Sequence, residues 1–157
     1  MDRTLVAWVE DKPGVLNRVA SLFRQRAFNI ESLTVGHTQE PGVSRMTIVV
    51  DGERTDTEKV VQNLYKLVNV IKVEDVTEEP NVMRDLALIK VGASNGTRSE
   101  VMQIVETFRA RVVDVGLETL TVEVTGTAEK INGLVEVLQP FGVAEMVRTG
   151  RVAMTRG

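Results

Sequence analysis

Cysteine is absent from this chain, and histidine and tryptophan occur once each, as His37 and Trp8. Without cysteine there is no disulfide, no thiolate metal site and no cysteine nucleophile. A single histidine cannot assemble a multi-histidine metal centre. Basic charge is also in short supply: 19 Lys and Arg stand against 22 Asp and Glu, a formal charge of −3. That balance, with a pI near 5.3, lacks the electrostatic footprint of a nucleic-acid binder. No apolar run approaches the roughly 20 residues of a membrane span. Met1-Asp2-Arg3-Thr4 leads straight into a strand-like run, without the basic and apolar regions of a signal peptide or an Arg/Ser-rich transit segment. The expectation is a cytoplasmic protein that engages neither membrane nor nucleic acid.

What is present is one unit written twice. Leu5 to Val9 is a short apolar run, and Asp11-Lys12-Pro13-Gly14 breaks it. Proline suits the first turn of a helix. Leu16, Val19, Ala20 and Phe23 then follow helical spacing. Asn29 to Val35 and Ser44 to Val50 read as strands, joined by the hairpin chemistry of Gln39-Glu40-Pro41-Gly42. Thr55 and Glu58 predict a capping box before a helix that turns Val60, Val61, Leu64, Leu67 and Val68 inward. Val70 to Val76 is a further strand. The order is β-α-β-β-α-β.

The polar stretch Thr77 to Asn81 reads as a linker, after which the order recurs. Leu86 to Val91 is a strand, and Thr97 with Glu100 forms a second predicted capping box. Val101, Ile104, Val105 and Phe108 repeat the helical spacing. Val112 to Val115 is a strand, and Leu120, Val122 and Val124 alternate with polar residues in the next. Ile131, Leu134, Val135 and Leu138 form a helix stripe that Pro140 and Gly142 stop, and Val143 to Val147 returns as a strand. The fold class is therefore α+β, with two ferredoxin-like βαββαβ units in tandem. The expected boundaries are 1–77 for the first domain, 78–83 for the linker and 84–157 for the second domain. Units of this size commonly pair, and open sheets leave edges that dimers cover.

Catalytic chemistry has little to stand on. His37 sits at a strand end with no Ser/His/Asp signature around it. Glu10 and Asp11 point to opposite faces if the strand includes them, Glu78-Glu79 falls in the linker, and the glycines form no phosphate-binding pattern. The segment Asp11-Lys12-Pro13-Gly14-Val15-Leu16 stands apart, because a helix start offers free N–H groups and glycine allows close approach. By itself it suits a small carboxylate or phosphate, or is an ordinary turn.

Asp11-x-Pro13-Gly14-Val15-Leu16, followed by Arg18 and Phe28-Asn29-Ile30-Glu31-Ser32-Leu33, resembles the ACT domain, an amino-acid-sensing module. The run Arg26 to Gly36, with Ser44-Arg45-Met46-Thr47-Ile48 and Lys66 to Val70, resembles the regulatory (small) subunits of acetohydroxyacid synthase, also called acetolactate synthase. Arg84 to Val91 and Arg148-Thr149-Gly150-Arg151 resemble the C-terminal domain of those subunits, so the likeness spans nearly the whole chain.

The resemblance implies a non-catalytic subunit that activates a catalytic (large) subunit and confers feedback inhibition by valine or another branched-chain amino acid. It implies no cofactor on this chain, and a partner carrying thiamine diphosphate, Mg and FAD. It implies a homodimer through ACT domains, with the effector at their interface. Carried over by position, the effector residues are Asp11, Gly14, Val15 and Leu16, with Asn29 and Ile30 from the facing chain. Backbone N–H groups of Gly14 to Leu16 are expected to hold the ligand carboxylate. Asp11 and the Asn29 amide oxygen are expected to accept from its ammonium, against an apolar wall of Leu16, Ile30 and Val35. Asp11 departs from the asparagine common in the family. Ser44, Arg45 and Met46, with the loop Thr38 to Val43, are the expected contact with the catalytic subunit; the alternative places Arg45 in solvent and Met46 in the core. Competing functions are a free-standing amino-acid-binding ACT module and a small enzyme on the same fold. The second unit lacks a Pro-Gly crossing; Ala93-Ser94-Asn95-Gly96-Thr97 reads there as a capped turn.

Overall fold

The computed structural model describes all residues, Met1 to Gly157, as two compact units. The first contains Met1–Val82 together with Arg151–Gly157, and the second Met83–Gly150. The expected domain 84–157 thus departs at the end of the chain, where the final segment packs with the first unit.

The first unit runs β1 (Asp2–Glu10), α1 (Val15–Arg26), β2 (Ile30–His37), β3 (Val43–Asp51), α2 (Thr57–Tyr65) and β4 (Val70–Asp75). Its sheet has the order β2-β3-β1-β4, with each neighbouring pair antiparallel. Strand alternation sends Leu5, Ala7 and Val9, with Met46, Ile48 and Val50, to the helix side, where Val19, Phe23, Val60 and Leu64 complete a core. Thr4, Val6, Thr47 and Val49, on the opposite face, are buried as well.

Strand β5 (Asn81–Gly92) begins in the last residues of the first unit and runs from Met83 in the second, which continues with α3 (Arg98–Thr107), β6 (Arg111–Val115), β7 (Thr119–Gly126), α4 (Ala128–Leu138) and β8 (Val143–Arg148). Its sheet order is β6-β7-β5-β8. Ala87, Ile89 and Val91 with Leu120, Val122 and Val124 face Val101, Val105, Ile131, Leu134 and Leu138. A final strand, β9 (Val152–Thr155), belongs to the first unit and was not legible in the sequence. Within the first unit this tail is tied down by polar bonds: Arg45 donates to Ala153 O at 2.6 Å, and Arg151 to Thr4 Oγ1 at 3.0 Å. The Arg156 N–H donates to Pro80 O at 2.8 Å. No helix is long and apolar enough to cross a membrane.

Helix starts depart from the sequence reading. Thr55 does not cap α2; it is buried and its Oγ1 accepts the Asn29 N–H at 3.1 Å. Asp56 caps instead, accepting the Glu58 N–H at 3.1 Å. Thr97 occupies the N-cap of α3 but makes no side-chain cap bond, whereas Thr127 caps α4 through the Lys130 N–H. At the other end, α2 stops at Tyr65, so Val68 lies beyond the helix and is 85% exposed rather than inward.

Candidate functional site

The turn between β1 and α1 is built from backbone bonds. The Asp11 N–H donates to Gly42 O at 2.8 Å, which ties the turn to the β2–β3 hairpin. Gly14 then takes φ +85°, a left-handed conformation in which side chains with a Cβ are strained. It is the N-cap of α1, and no side chain caps that helix. The first helical bond runs from the Arg18 N–H to Gly14 O at 3.0 Å. The N–H groups of Leu16 and Asn17 are therefore left to solvent or a ligand, at the positive end of the helix.

The expected residues divide. Val15 is buried in the core and its N–H donates to Lys12 O at 3.3 Å, so neither its side chain nor its amide is turned outward. Leu16 is 48% exposed at the helix start. Asp11 Oδ2 lies 3.3 Å from His37 Nδ1, at the end of β2, while Lys12 pairs with Glu10 at 2.6 Å. His37 is thus part of this site, although no sequence signature singled it out; its contact arises only when the hairpin folds beside the turn.

Asn29 and Ile30 lie at the other end of β2. The Asp51 N–H donates to Asn29 O at 3.3 Å, and the Asn29 amide group donates to Glu31 at 3.4 Å. Ile30 is partly buried against the first core. An eight-residue strand separates these two residues from the turn, roughly 25 Å at 3.3 Å per residue. One chain does not bring the six residues together. The free side of β2, which is an edge strand, is where a second chain would have to bring its own pair.

The expected contact segment is largely inside. Met46 belongs to the first core at 1% exposure and Ser44 is buried, so neither side chain offers a surface. Arg45 is neither buried nor free. Its guanidinium stacks 4.8 Å from the centre of the Trp8 ring, while Lys72 approaches the same ring at 5.3 Å. Burial pushes the Arg45 pKa down, against the opposing charge of Glu74. The hairpin loop itself is exposed and is held by Thr38, whose Oγ1 donates to Val43 O at 2.8 Å and accepts the Glu40 N–H at 3.1 Å.

Comparison with known proteins agrees with this architecture in both halves. Residues 5–72 match the model of the AHAS small subunit-like ACT domain, and residues 84–157 that of the small subunit of acetolactate synthase. The chain is 56% identical over 154 residues to the acetolactate synthase small subunit of Mycobacterium leprae, covering 98% of this chain and 91% of that one. It is 48% identical over 158 residues to that of Bacillus subtilis, covering 100% and 92%. The crystal structure of the small subunit from Thermotoga maritima superposes with a TM-score of 0.90 at 39% identity, over 100% of this chain and 98% of that one.

Proposed function

The chain belongs to the acetolactate synthase small-subunit family, and from that premise we propose that it is a regulatory subunit that activates a catalytic large subunit and transmits feedback inhibition by a branched-chain amino acid, valine first among them. A small subunit implies a large one, and the chemistry resides there. Thiamine diphosphate, Mg and FAD belong to that partner in this reading.

The observation that carries the proposal is the uncapped start of α1 beside Asp11, next to the end of an edge strand. The free first-turn N–H groups suit a carboxylate. The Asp11 carboxylate suits an ammonium, and Leu16 and Val35 supply exposed apolar surface for a branched side chain. Antiparallel pairing of two β2 strands would carry Asn29 of one chain toward His37 and the turn of the other. The arrangement explains why the residues are split within one chain: the site is completed by dimerisation. An effector held between two chains acts by stabilising one assembly over another, and a differential affinity of about 1–3 kcal/mol shifts the response roughly 5–150-fold.

The test is reconstitution. The purified chain is added to its catalytic subunit, and acetolactate formation is followed with and without valine, leucine and isoleucine. Activation that valine reverses is the expected result. Activation without inhibition would retain the regulatory subunit and remove the sensor. Effector binding without activation would favour an amino-acid-binding module with another partner.

A further inference from the structure

The second unit repeats the crossing at which the first is proposed to hold its effector. The Asp11 N–H bonds Gly42 O at 2.8 Å, and the Ala93 N–H bonds Glu118 O at 2.8 Å. The Thr38 N–H bonds Val43 O, and the Gly116 N–H bonds Thr119 O. Val19 and Val101 occupy the same fully buried place on α1 and α3. Counting back three residues from each makes Arg98 the counterpart of Leu16.

The two crossings are filled differently. In the first unit Leu16 is exposed, and the turn meets the hairpin through the Asp11–His37 pair. In the second unit Arg98 folds back over the turn. Its Nη2 donates to Ala93 O at 3.0 Å, Gly116 O at 2.8 Å and Leu117 O at 3.0 Å, and its Nε reaches Ala93 O at 3.3 Å. Nε and Nη2 grip Ala93 O as a fork, while the two hydrogens of Nη2 are shared among the three converging carbonyl oxygens, and the guanidinium carries the charge that a bound ammonium would otherwise bring.

We propose that Arg98 is an internal ligand: it closes the second unit's crossing and so restricts effector binding to one kind of site per chain, the one in the first unit. An incoming amino acid would have to displace several charge-assisted hydrogen bonds before making its own. The same bonds fix the tip of the β6–β7 hairpin, where Leu117 is 95% exposed and has no core contact to hold it. Only the statement about stoichiometry rests on the effector reading; the lock does not.

Amide hydrogen exchange on the full chain tests the lock directly, by following the hydrogen-bonded amides of Ala93 and Gly116. Arg98→Ala is expected to speed their exchange by at least about tenfold, the loss of one such bond or more, while the Asp11 amide is unchanged. Arg98→Lys, which keeps a charge but not the fork, is expected to fall between. Millimolar methylguanidinium is expected to restore protection in Arg98→Ala and to leave the unaltered protein as it was. Exchange at Ala93 and Gly116 indistinguishable among the three proteins would overturn the proposal. Calorimetric titration with valine adds the stoichiometry. One valine per chain at most is expected, and two would overturn the restriction. No binding at all would end the sensor reading for the first unit and leave the lock to be decided by exchange.

Discussion

Arg3 and Asp85 hold corresponding places on β1 and β5, with opposite charge. Leu5 stands opposite Asp75 on β4, and Ala87 stands opposite Arg148 on β8. Two residues before each, Arg3 reaches Asp75 at 2.7 Å and Asp85 meets Arg148 at 3.4 Å. The two units thus close the same strand pair with an ion pair of reversed polarity. The first is reinforced by Glu78, 3.1 Å from Arg3; in the second, Arg148 also donates to Asn132.

That relationship predicts an acid-sensitive contribution from the first pair. Burial pushes the Asp75 carboxyl up, but hydrogen bonds from Thr77 and Arg3 outweigh it and hold the group below the usual carboxylate range. A depressed folded-state value stabilises the protein above the unfolded-state pKa, and the contribution is lost as pH falls through the folded-state one. Asp75→Asn is expected to cost roughly 1–2 kcal/mol at pH 7. Urea denaturation should show the gap to the unaltered protein closing below about pH 4. A gap that persists unchanged into strong acid would assign the loss to packing instead.

Gly14 is a conformational requirement rather than a steric one. Its φ is +85°, yet a Cβ there would meet no atom within 4 Å. Gly14→Ala should therefore fold, at a cost of about 1–2 kcal/mol for the left-handed backbone. It should also weaken valine-induced thermal stabilisation, because the first-turn N–H groups would be re-aimed. Unchanged stability together with an unchanged valine shift would separate this turn from the effector.

Asp11 is the carboxylate expected to face the ligand ammonium, and it lies 3.3 Å from His37 Nδ1. Asp11→Asn keeps the size of the side chain and removes its charge. It should weaken valine binding by roughly tenfold, the loss of one charged hydrogen bond. Calorimetric titrations of both proteins decide it; equal affinities would remove Asp11 from the site.

Arg45 has a structural task that its sequence context did not reveal. It covers Trp8 and donates to Ala153 O at 2.6 Å, so it pins the chain's final strand to the first sheet. Arg45→Ala should lower stability by roughly 1–3 kcal/mol, from the lost cation–π contact and charged hydrogen bond together. Trp8 is the sole tryptophan, so its fluorescence should report the change without ambiguity. Loss of activation of the catalytic subunit with unaltered stability and emission would instead restore Arg45 to a partner surface.

Local sequence set the order of β1 to β8 and of the four helices, the strand faces and most of the helix stripes, Val68 excepted. Each depends on spacing along a few neighbouring residues, as in Leu5-Ala7-Val9 or Val101-Val105. It also marked the turn at Gly14, because proline and glycine act on their own backbone. Other features depend on which segment lies alongside, and these the folded chain set. Thr55 does not cap α2 because its Oγ1 accepts the backbone N–H of Asn29. His37 entered the candidate site because the hairpin folds against the turn after β1. The final residues joined the first unit because carbonyl and hydroxyl acceptors there met Arg45 and Arg151, across more than a hundred residues of chain. Arg98 became a lock because three carbonyls converge where its side chain can reach. Such bonds join atoms whose proximity no local pattern encodes, so only the folded chain could assign them.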